Sequence, residues 1–163
     1  MKGKFLIMSF LFLMLIGFVS SCDYYLDGCK HDGWVDGSTY CLGDDLIAKR
    51  LSPSSPSVCL NIEGATDLMI SLEGHSLING ETGEEELGTG IVMRDSEEIY
   101  IDGVGGKIEK FRSRGISVYD TKDLSITDME FRNNDAGVAL SNVEDFEIDL
   151  LNKFMAFVKA PLA

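Results

Sequence analysis

Carboxylates dominate the reactive groups of this chain, with 27 Asp and Glu against 14 Lys and Arg and 2 His. Asp67, Glu98, Asp123 and Asp145 each stand directly before an apolar-x-apolar triplet, and Asp95, Asp120 and Asn142 stand three residues ahead of the last three of them. Carboxylates brought close together repel, and the cost falls if water solvates them or a hard cation bridges them. Asp67, Glu98, Asp123 and Asp145 are therefore candidate calcium ligands, with a solvated acidic edge as the other reading. Asp102 and Asp128 occur singly and form no pair of the kind that glycoside hydrolysis uses. His31 and His75 are isolated, which argues against a catalytic triad or a His-rich metal site. Tyr100 lies between Ile99 and Ile101 and is expected to project outward, where an aromatic ring can pack on a sugar. Arg112 and Arg132 each follow a phenylalanine, Phe111 and Phe131. They are cationic candidates for the same carbohydrate-binding surface, with ion pairing to nearby acids as the alternative.

The formal charge of −13 excludes the usual nucleic-acid binder, which must neutralise phosphates with a basic surface. The sequence from Phe5 to Val19 is almost unbroken apolar, follows Lys2 and Lys4, and ends at the small residues Ser20 and Ser21. That pattern predicts a secretory signal peptide over residues 1–21, shorter than the roughly 20 apolar residues of a spanning helix. Its removal takes no acidic residue and leaves the exported body at −15. Val19-Ser20-Ser21-Cys22 also resembles the lipobox of bacterial lipoproteins, which would make Cys22 a lipid attachment point and the one link to a membrane. Ordinary cleavage would leave Cys22 as a thiol or half-cystine. Cys22, Cys29, Cys41 and Cys59 show no metal-binding spacing and allow three disulfide pairings. A Cys41–Cys59 bond would staple the Pro/Ser-rich excursion Leu51–Ser57, with Cys22–Cys29 as its companion; the choice stays open.

The elements that must position these groups follow from a repeat. The template apolar-x-apolar, five residues, apolar-x-apolar fits Leu60, Ile62, Leu68 and Ile70, then Ile91, Met93, Ile99 and Ile101. It fits again at Ile116, Val118, Leu124 and Ile126, and at Val138, Leu140, Phe146 and Ile148. Gly90, Gly115 and Gly137 precede three of the units, where glycine eases a tight corner. A period of two is that of a β-strand, not of a helix. Two short strands cannot close a core alone, but parallel stacking of the units about 4.8 Å apart turns the apolar columns into internal ladders. The prediction is an all-β parallel solenoid of about four coils. Met93 and Met129 then point inward, so no soft-metal cluster forms.

The segments beginning at Gly90, Gly115 and Gly137 resemble the right-handed parallel β-helix repeats of secreted carbohydrate-binding and sugar-hydrolase domains, the pectin-lyase-like fold. S-T-Y-C-L-G-D-D-L and E-G-H-S-L-I-N-G resemble their opening coils. The resemblance covers roughly residues 38–154. It divides the chain into a signal peptide (1–21), an N-terminal cap (22–40), a parallel β-helix (41–154) and a C-terminal tail (155–163). Four coils are few for such a fold, so the tail is expected to be a truncated coil and the chain a fragment. A repeat of this kind specifies fold far more than activity. What it implies is an exported, monomeric cell-envelope protein that binds polysaccharide or a surface component without catalysis. The competing class is a polysaccharide lyase or glycoside hydrolase. Lyases on this fold set a basic residue beside acidic calcium ligands, but no lyase motif is matched here.

Overall fold

The computed structural model describes residues 21–30, 32–49, 57–80, 87–151 and 157–159. All but the last residue of the expected signal peptide, His31 and most of the Leu51–Ser57 excursion lie outside the described residues, as does all but the end of the acidic segment 81–89. The described residues are all-β. In chain order the strands are β1 (Tyr24–Leu26), β2 (Thr39–Leu42), β3 (Leu46–Ala48), β4 (Val58–Glu63), β5 (Thr66–Ser71) and β6 (Ser76–Asn79). They continue as β7 (Thr89–Arg94), β8 (Glu97–Asp102), β9 (Lys107–Glu109), β10 (Arg114–Arg132), β11 (Ala136–Leu150) and β12 (Phe157–Lys159).

Every strand pairing is parallel, and the pairs form three stacked sides. On the first side β4, β7, the start of β10, the start of β11 and β12 lie in order. On the second, β1, β2, β5, β8, the middle of β10 and the end of β11 follow one another. On the third, β3, β6, β9 and the end of β10 are paired. The chain visits the sides in turn, so each strand meets its counterpart from the neighbouring circuit.

Register explains the core. Leu60, Ile91, Ile116 and Val138 are consecutive partners, as are Ile70, Ile101 and Ile126 on the second side. Of the sixteen template positions only Phe146 and Ile148 escape full burial; Phe146 is 37% exposed, because no described strand lies beyond the end of β11. Each fully buried Leu or Ile contributes about 1.5–3 kcal/mol, so the ladders supply most of the driving force.

The third side was not anticipated by the two-strand template. Leu46, Leu77, Ile108 and Phe131 form its inward column, all buried. Its distance from the second side varies: Leu77 and Ile108 lie seven residues after Ile70 and Ile101, but Phe131 only five after Ile126. The next circuit shifts again, between Ile126 and Met129 in the pairing of β10 with β11.

The glycines before the first-side strands have a different role from the one expected. Gly90 and Gly115 do not adopt positive φ. A Cβ on Gly90 would lie 2.7 Å from the Gly115 carbonyl oxygen, and one on Gly115 would run into the Phe131 ring. Gly115 makes room for the Phe131 ring and Gly90 for the adjoining backbone, Ile108 and Phe111, and the corner conformation is left to other residues.

Candidate functional site

The corner between the first and second sides carries the acidic columns. Asp67, Glu98, Asp123 and Asp145 occupy equivalent register positions, with φ of 53, 55, 53 and 47°. Asp95, Asp120 and Asn142 form the second column, with φ of 49, 48 and 53°. Two glycines continue these columns on the preceding circuits: Gly37 aligns with Asp67 and Gly64 with Asp95, and both have positive φ. Left-handed backbone favours Gly, Asn and Asp over all other residues. The residue types at this corner thus follow from its backbone, which turns the chain twice within the constant five-residue gap.

Between the two columns Ser96 Oγ donates to the Arg94 carbonyl at 2.7 Å and Thr121 Oγ1 to the Tyr119 carbonyl at 2.9 Å. Asn142 Nδ2 donates to Asp120 Oδ1 at 2.6 Å, which spaces the second column. Lys122 Nζ lies 3.2 Å from Glu97 Oε1 and 3.5 Å from Asp123 Oδ2. The hydrogen bond to Glu97, then the field of Asp123, hold the Lys122 ammonium above its ordinary pKa. A cleft of about 320 Å³ at this corner is lined by Asp95, Glu97, Asp120, Lys122, Asn142 and Glu144 among others.

Asp67, Glu98, Asp123 and Asp145, the expected calcium ligands, share this corner but are not drawn into one tight cluster of donor atoms. Among the described residues the one group of three or more His, Cys, Asp or Glu donor atoms close enough to share an ion is Cys22, Cys41 and Glu73, and both of its sulfurs are committed to a disulfide. Lys122 supplies a cation at this corner, 3.5 Å from Asp123 Oδ2.

The other expected residues do not converge. Tyr100 projects outward from β8, 45% exposed, between Met69 and Ser125 of the adjoining strands. Arg132 is on the third side, opposite Glu109, and its Nε lies 2.6 Å from Glu130 Oε1. Arg112 falls past the end of β9, where its backbone N–H donates to the Leu87 carbonyl at 3.3 Å. The shared Phe-Arg motif does not put the two arginines in register: Phe131 pairs with Ile108, whereas the Phe111 N–H donates to Asn134 Oδ1 at 2.9 Å. Asp102 Oδ1 accepts the Val104 N–H at 3.1 Å and so shapes a local turn. His75 Nδ1 lies 3.9 Å from Asp45 Oδ1.

The disulfides correct the expected pairing. They are Cys22–Cys41 and Cys29–Cys59, with Cα atoms 5.7 and 4.6 Å apart, rather than Cys41–Cys59 and Cys22–Cys29. Parallel stacking is the reason. β1 lies on β2 with Tyr24 opposite Tyr40, which brings Cys22 to Cys41, and Lys30 bridges to Leu60, which brings Cys29 to Cys59. A lipid on the Cys22 sulfur is incompatible with this bond. Both links tie the 22–40 segment to the winding, where Trp34 Nε1 also donates to the Asn61 carbonyl at 2.6 Å. Trp34 and Tyr40 meet edge to face at 4.8 Å, and Lys30 Nζ stands over both rings. Burial raises the Tyr40 pKa, and the N–H donated by Val35 acts against it.

One cluster on the outer surface of the first side was not foreseen. The Arg94 guanidinium stands 5.4 Å from the centroid of the Tyr119 ring, and Arg114 donates to the Tyr119 hydroxyl at 3.0 Å. Arg94 and Tyr119 are strand partners, a relation contained in the repeat spacing had it been applied to the polar positions. Between Arg114 and Tyr119, Ser117 joins Asn61, Val92 and Ala139 in a column of small or medium outward residues. No protein family, curated protein or solved structure matches the chain.

Proposed function

We propose that this is an exported, right-handed parallel β-helix protein of about four coils that acts at the cell envelope and binds polysaccharide along its side without catalysis. The observation that carries the reading is the outer surface of the first side. Asn61, Val92, Ser117 and Ala139 stand in register on successive strands, half-buried at Asn61 and Ala139 and buried at Val92 and Ser117, and Tyr119 borders them with its ring engaged by Arg94 and Arg114. A rigid strip with a held aromatic suits an extended sugar polymer, because little side-chain freedom is lost on binding. The two disulfides accord with an oxidising, extracellular setting.

A glycan array probed with the exported chain, run beside an absorbance assay for unsaturated uronate products, tests the proposal. Retention on polysaccharide without product is expected. Absence of retention across the array would reject glycan binding, and product formation would move the protein to the lyase class.

A further inference from the structure

Two cysteines and a glutamate at the amino-terminal end of the second side form a group that the glycan-binding reading does not use. Among the described residues, the sulfurs of Cys22 and Cys41 and one carboxylate oxygen of Glu73 are the one set of three His, Cys, Asp or Glu donor atoms that lie within 4.8 Å of one another. Cys41 is the register partner of Ser71 on β5, and Glu73 follows two residues on, so the winding rather than the sequence spacing brings the three together. The Cys29–Cys59 bond has no third donor at that range among the described residues.

The backbone at Glu73 does not account for a glutamate there. The His75 N–H donates to the Leu72 carbonyl at 2.7 Å and closes a turn whose central residues, Glu73 and Gly74, have φ of 48 and 84°. Two consecutive positive φ values favour Gly, Asn or Asp, and Glu adopts the left-handed region at a cost. Its carboxylate is nevertheless aimed. Oε1 accepts the hydroxyl of Ser71, itself 3% exposed, at 2.9 Å and lies 4.0 Å from Cys41 Sγ. A disulfide sulfur has no hydrogen to donate and offers that carboxylate no bond. The same sulfur as a thiol donates to it, and as a thiolate it shares a cation with it.

We propose that reduction of Cys22–Cys41 opens a zinc site formed by the two sulfurs and Glu73, so that this end of the winding exchanges a covalent link for a metal link. A dithiol reductant supplies two electrons and two protons: the S–S bond breaks, two thiols form, and the reductant closes its own disulfide. Zinc then displaces both thiol protons to solvent as two Zn–S bonds form. Thiolate sulfur and carboxylate oxygen are both zinc donors, and three protein ligands leave a fourth position for water. Calcium is disfavoured, because it takes six or more oxygens. Tetrahedral bonds of about 2.0–2.3 Å set donor atoms about 3.3–3.8 Å apart, so once the S–S bond is broken the sulfurs need only part to that distance. Cys22 is half-buried and is the sulfur that a reductant reaches, while Cys41, fully buried, keeps its place on β2 beside Ser71.

The test titrates cadmium, which reports thiolate ligation by a charge-transfer absorption, into the exported chain reduced with a phosphine and into the oxidised chain, with zinc affinity read by competition. The reduced chain is expected to show the absorption and to lose it to zinc, and the oxidised chain to show none. C22S/C41S, which keeps the other cysteine pair, should lose the absorption. Ser71→Ala, which removes the group that positions the carboxylate, should weaken zinc about tenfold, and Glu73→Gln, which removes a ligand charge, by more than that. Thiolate absorption in the oxidised chain, its retention in C22S/C41S, or unaltered zinc affinity in Glu73→Gln overturns the inference. If reduction melts the chain, zinc should restore the native circular dichroism spectrum in the unaltered protein but not in C22S/C41S; a melt that zinc does not reverse overturns it as well. Each of these outcomes leaves glycan binding on the first side standing, and an empty glycan array leaves the zinc site standing.

Discussion

The corner between the first and second sides and the third side are built from the same winding by opposite means. At the corner five residues always separate the apolar triplets, and the left-handed backbone recurs at Asp67, Glu98, Asp123 and Asp145. On the third side the spacing changes from circuit to circuit, and what stays constant is the volume filled, by Leu46, Leu77, Ile108 and Phe131 in register. The corner is specified by backbone conformation at single residues. The third side is specified by packing, and the glycines at 90 and 115 are the space that its large rings need. Regularity in a solenoid therefore marks where the backbone is constrained, and irregularity marks where side chains have room to compensate.

Breaking the packed side should have the largest effect. Phe131→Ala removes a fully buried ring and should cost about 3–5 kcal/mol in urea unfolding, whereas Phe146→Ala, at the exposed end of the second side, should cost less than about half as much. Equal losses would mean that the third side is not a packed wall.

The corner should respond to backbone chemistry instead. Glu98 has φ of 55°, so Glu98→Gly should hold stability or raise it by up to about 1 kcal/mol, and Glu98→Val should lower it by about 1–2 kcal/mol. Thermal melting of both variants, with and without added calcium, separates the two accounts of this column. A calcium-dependent rise in melting temperature lost in Glu98→Gly would support the cation reading, and no rise in the unaltered protein would end it.

The smallest effect is one of pH. Native-state pKa values raised above their ordinary values at Tyr40 and Lys122 mean that the folded protein holds these protons more tightly than the unfolded chain. Their contribution is complete below the unfolded pKa values near 10 and is lost as pH rises through the native ones. Melting temperature should fall as pH rises above about 10, and Lys122→Gln should flatten part of that fall. Lys122 is exposed, so its share is slight. A curve of the same slope in Lys122→Gln would show that the corner cation is fully screened.

Much of this architecture was legible because it is local. Alternation places Ile99 and Ile101 inward and Tyr100 outward without reference to anything distant, and the constant gap announces the corner. The third side was obscured by its changing spacing. The cluster around Tyr119 was hidden for a related reason: Arg112 and Arg132 share a sequence neighbour, whereas Arg94 and Tyr119 share a register position. In a stacked fold the neighbour that matters is one circuit away.

The order of amino acids alone carried the strand period, the inward columns and the residue types at the left-handed corner, since each depends on a few consecutive dihedral angles and on which side of the strand a side chain emerges. The cysteine pairs, the third wall and the meeting of Arg94, Arg114 and Tyr119 were settled by the folded winding. Those depend on how far the chain travels before it returns, and that distance is set by how the core fills rather than by any local preference.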